Sequence, residues 1–201
     1  MIDLKNITPD QIDALREIAS VGSGHAATSL SELLSEKVMV RVPKVLLGTI
    51  KDVIEQIASP DEPVWSVFMY FLGDLTGRTL LIYPVVDAEY LLEIMAPGNR
   101  DEDYRISVMK EISNILSCAY MNALGEMIGL LILPSVPGMV VDLAGAILSS
   151  VVLEFSEEKD FVICLESEFY IATKKRTIKS YYLMMPDISS VEVLLKKVNL
   201  L

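Results

Sequence analysis

Apolar residues recur at helical spacing from the start of the chain. Ile12, Leu15, Ile18, Ala19, Val21 and Ala26 are continued by Leu30, Leu33 and Leu34, predicting one long helix. Thr8 is a good N-cap for it, and Pro9 at the first helical position gives up only an N–H that the helix leaves orphaned. Gly22 and Gly24 weaken a solvated helix, so their expected use is close approach of another backbone. Residues 37–42 alternate with period two and predict a strand ending at Pro43. A short helix over 49–58 follows, then a break at 59–63. Residues 64–73 and 79–83 read as two strands of a hairpin, and 87–95 as a helix stopped by Pro97 and Gly98.

The order then repeats. Residues 101–128 predict a long helix and 130–133 a short strand, and 142–155 reads as a helix buried on more than one side. Strands over 161–172 and 180–185 flank the basic turn Lys174-Lys175-Arg176. A last helix starts at Pro186-Asp187 and carries Val191, Val193, Leu194, Leu195 and Val198. Helix, strand, helix, hairpin, helix, twice over, is a tandem duplication. Single residues repeat with it: Asp13, Glu17, Ser20 and Pro43 are matched by Ser107, Glu111, Asn114 and Pro137, each 94 positions later (107 − 13, and so on). Ile18/Ile112, Ser23/Ser117, Leu30/Leu124 and Glu32/Glu126 share that offset. The expected architecture is α+β: a tandem pseudo-two-fold repeat with a largely antiparallel shared sheet flanked by long helices. It forms a single domain of two repeats, about 8–97 and 101–199.

Composition narrows the partners. A net charge of −11 leaves no basic patch to displace counterions from nucleic acid, and the same sign disfavours acidic membrane surfaces; a basic protein partner stays compatible. The mean hydropathy of +0.43 raises the question of a membrane span. The longest uncharged run, 127–141, has 15 residues and contains Pro134 and Pro137. A span needs about 20 apolar residues, so none is expected. The first residues show no basic region followed by an apolar run, and Cys118 and Cys164 sit singly in apolar contexts. Both features lead to the expectation of a cytoplasmic protein with reduced thiols.

On a helix, Ser107, Glu111, Asn114 and Cys118 fall within about 60° of one another, opposite an apolar face of Val108, Ile112, Ile115, Leu116 and Tyr120. A carboxylate beside a carboxamide supplies a fixed negative charge and a group that both donates and accepts hydrogen bonds. The pair suits docking onto a cation and holding a water in line with a phosphoryl group. Such a pair is also what an ordinary solvated helix face looks like; the second copy, with its proline at the same distance, is what argues for a site. Residue 20 breaks the symmetry, because serine has no amide. His25 reads as a helix residue at a half-buried packing seam, with a pH-sensitive contact as the alternative. Trp65 and the run Phe68-Met69-Tyr70-Phe71 read as sheet core, and Met109, Met127, Met184 and Met185 read as core residues.

These residues carry a resemblance. The stretch from Leu15 to Thr28, LREIASVGSGHAAT, resembles the LxEIGNIGxGNAAT segment of the CheC family of chemotaxis phosphatases. That family's pattern is Asp or Ser, three residues, Glu, two residues, Asn, twenty-two residues, Pro. Ser107, Glu111, Asn114 and Pro137 match it in full; Asp13, Glu17 and Pro43 match it with Ser20 in place of Asn, and His25 also replaces an Asn. The resemblance implies a phosphatase acting on the aspartyl phosphate of a CheY-like response regulator. Glu111 would dock on a regulator lysine and Asn114 would orient the attacking water. It further implies that Mg²⁺ comes with the regulator, so that the chain needs no cofactor or metal of its own. The Glu17/Ser20 site is then expected to be degenerate, keeping the docking carboxylate without the amide. The alternative is a non-catalytic adaptor that binds the receptor deamidase CheD, or an interaction module like those of the flagellar switch.

Overall fold

The computed structural model describes residues 9–154 and 161–197. The N-cap at Thr8 and the helix ends at Phe155 and Val198 lie outside the described residues. In the first half, α1 (Pro9–Leu34), β1 (Val38–Thr49), α2 (Ile50–Ile57), β2 (Pro63–Gly73), β3 (Gly77–Pro84) and α3 (Val85–Met95) follow in order. The second half supplies α4 (Glu102–Ile128), β4 (Ile132–Pro134), β5 (Gly138–Leu143), α5 (Ala144–Glu154), β6 (Phe161–Ile171), β7 (Arg176–Pro186) and α6 (Ile188–Lys197).

All seven strands join one antiparallel sheet in the order β1-β6-β7-β3-β2-β4, with β5 also on β2. Exchanging the halves leaves this order unchanged: β1 lies against β6 as β5 lies against β2, and β7/β3 is the central pair. Each half therefore completes the other's sheet. Helices α1 and α4 cover one face, where Leu15, Ile18, Leu30, Ile112, Leu116 and Leu124 meet Val67, Met69, Phe71, Ile163 and Phe169. On the opposite face, α2 and α5 bury Val53, Ile54 and Ile147 against Leu80, Ile82, Cys164 and Leu183. At about 1.5–3 kcal/mol per buried large apolar side chain, these two interfaces are the main source of stability.

The strand predictions fall short in the same way in both halves. β1 does not end at Pro43 but runs on to Thr49, with its pairing to β6 shifting register between Arg41 and Lys44. Proline is tolerated there because β1 is an edge strand and the ladder is already interrupted. In the second half the same interruption is a gap, with Pro137 in residues 135–137 between β4 and β5. Residues 138–141 therefore belong to a strand not predicted, and helix α5 starts at Ala144 rather than at 142. β7 likewise starts earlier than expected, at Arg176.

The aromatic run of β2 is only half core. Trp65, Met69 and Phe71 are buried, while Phe68 and Tyr70 alternate onto the other face and are exposed. Met127 is exposed as well, unlike Met109, Met184 and Met185. The basic turn also divides: Lys174 and Lys175 are exposed, whereas the guanidinium of Arg176 lies 3.9 Å from the centre of the Tyr90 ring.

Cys118 and Cys164 are free thiols. Burial in the α2/α5 face pushes Cys164 up to about 12 from an ordinary value of 9.0. The folded state thus holds this proton more tightly than the unfolded chain does, so the stability it protects is intact below pH 9 and is lost as pH rises towards 12. Each such group steepens the fall of unfolding free energy by up to about 1.4 kcal/mol per pH unit in that window. Urea midpoints at pH 8, 9 and 10 are expected to fall less steeply for Cys164→Ala than for the wild type, whatever cavity cost the substitution adds. Parallel slopes would show that Cys164 does not titrate in this way.

Candidate functional site

Helix α4 is fixed at both ends by local chemistry. The Asp101 side chain accepts from the Tyr104 N–H at 2.8 Å, and Glu102 and Asp103 add negative charge to the first turn. Gly129, at φ 65°, ends the helix in the left-handed region. Between these ends Met109, Ile112, Leu116 and Tyr120 are buried, so the opposite stripe must face outward.

Tyr120 then ties this helix to its neighbours. Its hydroxyl meets Ser23 of α1 at 3.2 Å and Ser167 of β6, and its ring stacks on Tyr182 with centroids 4.8 Å apart. Two turns earlier, Ser113 meets the Tyr83 hydroxyl at 3.2 Å. Burial pushes both Tyr83 and Tyr120 above the ordinary tyrosine range. They remain neutral hydrogen-bonding pins beneath the outward stripe.

On that stripe Glu111 is exposed, and no hydrogen bond or ion pair engages it among the described residues. Asn114 is half-buried. It lines a groove between α4 and α1, together with Ile115, Cys118, Ala119 and Asn122 from its own helix and His25, Thr28 and Ser29 from α1. Cys118 donates its thiol to Asn114 Oδ1 at 3.6 Å. Ser107 sits at the outer end, with its hydroxyl donating to the Asp103 carbonyl at 2.9 Å. The structure thus brings Glu111 and Asn114 to one surface: a free carboxylate, then a carboxamide set into a polar groove. Chemically this is a fixed negative charge beside a group that both donates and accepts hydrogen bonds.

The first copy is different. Glu17 and Ser20 are both exposed, and Asp13 is already committed to Arg16 at 2.9 Å in an exposed pair of small energetic weight. Pro43 and Pro137 lie in the two interrupted edge strands rather than on the helix pair. Their shared spacing therefore marks where each edge strand breaks.

His25 is exposed at the rim of the groove, not at a half-buried seam as expected. Gly22 is the glycine of close approach: a Cβ there would stand 2.7 Å from the Tyr120 ring and 3.1 Å from its Cα. Gly24 has nothing within 4 Å and serves no such contact. Thr28, Ser29 and Asn122 line the groove without having been assigned to the site from the sequence. The signal was a polar stripe at one-turn spacing, Asn114, Cys118 and Asn122, facing His25 and Thr28 on the other helix. Among the described residues no three His, Cys, Asp or Glu side chains are grouped to hold a metal ion, and no helix is long and apolar enough to cross a membrane.

The fold recurs in solved structures. FliY of Thermotoga maritima matches 96% of this chain and 98% of its own at a TM-score of 0.79 and 19% identity. The FliM middle domain of Vibrio alginolyticus covers 92% and 99% at 0.67 and 14%. The chain shares the fold of these two proteins. No family model matches it. The CheY-P phosphatase CheC of Bacillus subtilis strain 168, however, is 31% identical over 196 residues, covering 94% of this chain and 93% of that protein. The chain belongs to the CheC family.

Proposed function

We propose that this chain is a phosphatase that hydrolyses the aspartyl phosphate of a CheY-like response regulator. Glu111 docks on a cationic side chain of the regulator. Asn114 reaches the phosphorylated carboxylate and orients the attacking water, so that its oxygen lone pair points at phosphorus. The observation that carries this reading is the pairing of an unengaged Glu111 carboxylate with the Asn114 carboxamide, half-buried in its groove three residues along the same helix. Neither group is a nucleophile here. The contribution is placement, which is the main lever in phosphoryl transfer because the reaction itself needs little covalent help. In this reading the Mg²⁺ that neutralises the phosphoryl group belongs to the regulator, the chain works in the cytoplasm, and Glu17/Ser20 is a docking remnant. The test is the rate of phosphate loss from a phosphorylated CheY-like regulator with and without the protein. Decay at the regulator's own rate in its presence would sink the reading.

One observation favours a second reading, a non-catalytic adaptor for CheD or for a switch component. Phe68, Tyr70, Leu72 and Leu133 form an exposed apolar area on β2 and β4. Regulator or CheD binding without any faster dephosphorylation is the result that would select the adaptor.

A further inference from the structure

Asn114 is held by a neighbour that the docking and water-placing roles leave unused. Cys118 lies one helical turn further on, half-buried in the same groove, and its thiol donates to Asn114 Oδ1 at 3.6 Å. We propose that Cys118 is the positioning residue for Asn114, its S–H selecting which end of the carboxamide meets the attacking water. This inference rests on the phosphatase reading above and refines it.

A carboxamide has nearly the same shape after a half-turn about its last torsion, and that torsion is broad and roughly two-fold. Packing alone therefore does not decide whether oxygen or nitrogen faces the water. The chemistry requires a decision. A water attacking phosphorus must give its hydrogens to acceptors and keep a lone pair for the new bond, so the useful end of Asn114 is Oδ1. A carbonyl oxygen has two lone pairs. One takes the Cys118 thiol and the other remains for the water. In the flipped amide an N–H would instead meet sulfur, a weak acceptor, and the thiol would have lost its partner. Burial first, and then the Glu111 carboxylate, push the Cys118 thiol above its ordinary range. It stays S–H through neutral pH and remains a donor.

The first repeat lacks both members of this pair. Ser20 stands for Asn114 and, at the same offset (118 − 94), Gly24 stands for Cys118. A Cβ at Gly24 meets no heavy atom within 4 Å, so the position is open to substitution. Restoring the amide by Ser20→Asn is thus expected to raise activity, and adding Gly24→Cys to raise it further.

The experiment compares wild type, Cys118→Ala, Cys118→Ser and Asn114→Ala in saturation kinetics with a regulator carrying an aspartyl phosphate. Cys118→Ala is expected to lower kcat about five-fold at unchanged KM, and Cys118→Ser, which keeps a donor, to return within about two-fold of wild type. A wild-type kcat in Cys118→Ala, a serine variant as slow as the alanine one, or a change confined to KM would overturn the proposal. Asn114→Ala separates the two levels. If it is inactive while Cys118→Ala is fully active, only the positioning role falls; if it is fully active, the phosphatase reading falls as well. A second readout needs no turnover: the Asn114 side-chain amide protons should give NMR signals in Cys118→Ala distinct from those shared by wild type and Cys118→Ser. Identical signals in all three proteins would overturn the proposal independently.

Discussion

Gly22→Val is expected to destabilise the protein by about 2–4 kcal/mol, read as a lower urea midpoint at unchanged slope. The reason is the crossing of α1 and α4. A Cβ at this position would stand 2.7 Å from the Tyr120 ring and 3.1 Å from the Tyr120 backbone, so neither a ring rotation nor a shift of the ring alone relieves it. Tyr120 cannot yield cheaply, because Ser23, Ser167 and the stacked Tyr182 ring all hold it. Gly24, two residues on, supplies the control. It lies in the same helix with nothing within 4 Å, so Gly24→Ala should stabilise by up to about 1 kcal/mol through helix propensity alone. The same kind of change, two positions apart, is expected to have opposite signs. If Gly22→Val leaves the midpoint unmoved, α1 and α4 do not approach as closely as the structure has them.

The helices were legible in the sequence because periodicity and end signals agreed. Residues 101–128 carry a regular apolar face that predicts one long helix, and α4 runs from Glu102 to Ile128. The strand edges were not. Residues 44–49 and 138–143 lack clean alternation, and each follows a proline that reads locally as a stop. The offset of 94 was the better guide: β1 begins at Val38 and β4 at Ile132, and β1 ends at Thr49 where β5 ends at Leu143. Applied to every element, the offset would have shown two interrupted edge strands in place of two short ones.

The site was legible in part for a similar reason. Glu111 and Asn114 share one helix, so spacing alone puts them side by side. The groove depends on a second helix, and its α1 wall of His25, Thr28 and Ser29 is set by how closely Gly22 lets the helices approach. No local pattern encodes that distance. The bond from Cys118 to Asn114 was within reach of an i, i+4 argument, but the same spacing is shared by many helix pairs that never touch. What singles this one out is a half-buried thiol 3.6 Å from the Asn114 carboxamide oxygen.

Dividing the proposed work between Glu111 and Asn114 leads to the largest functional effects. Asn114→Ala is expected to cut kcat for regulator dephosphorylation by about 100-fold, or down to the regulator's own decay, with KM little changed, because a water-placing group acts mainly in the transition state. Glu111→Gln keeps the shape and removes the charge. It should raise KM about ten-fold and leave kcat within about two-fold, since a docking ion pair is made equally in the ground and transition states. Salt supplies a further check. Glu111 is exposed, so its attraction for a regulator cation is screened, and raising ionic strength from about 0.05 to 0.5 M should raise KM in the wild type more than in Glu111→Gln. Both variants should keep the wild-type fold and urea midpoint, because neither side chain belongs to the buried core. A Glu111→Gln protein with low kcat and unchanged KM would move the carboxylate from docking into the chemistry. An Asn114→Ala protein with raised KM alone would make the amide a binding group and leave the water without a holder.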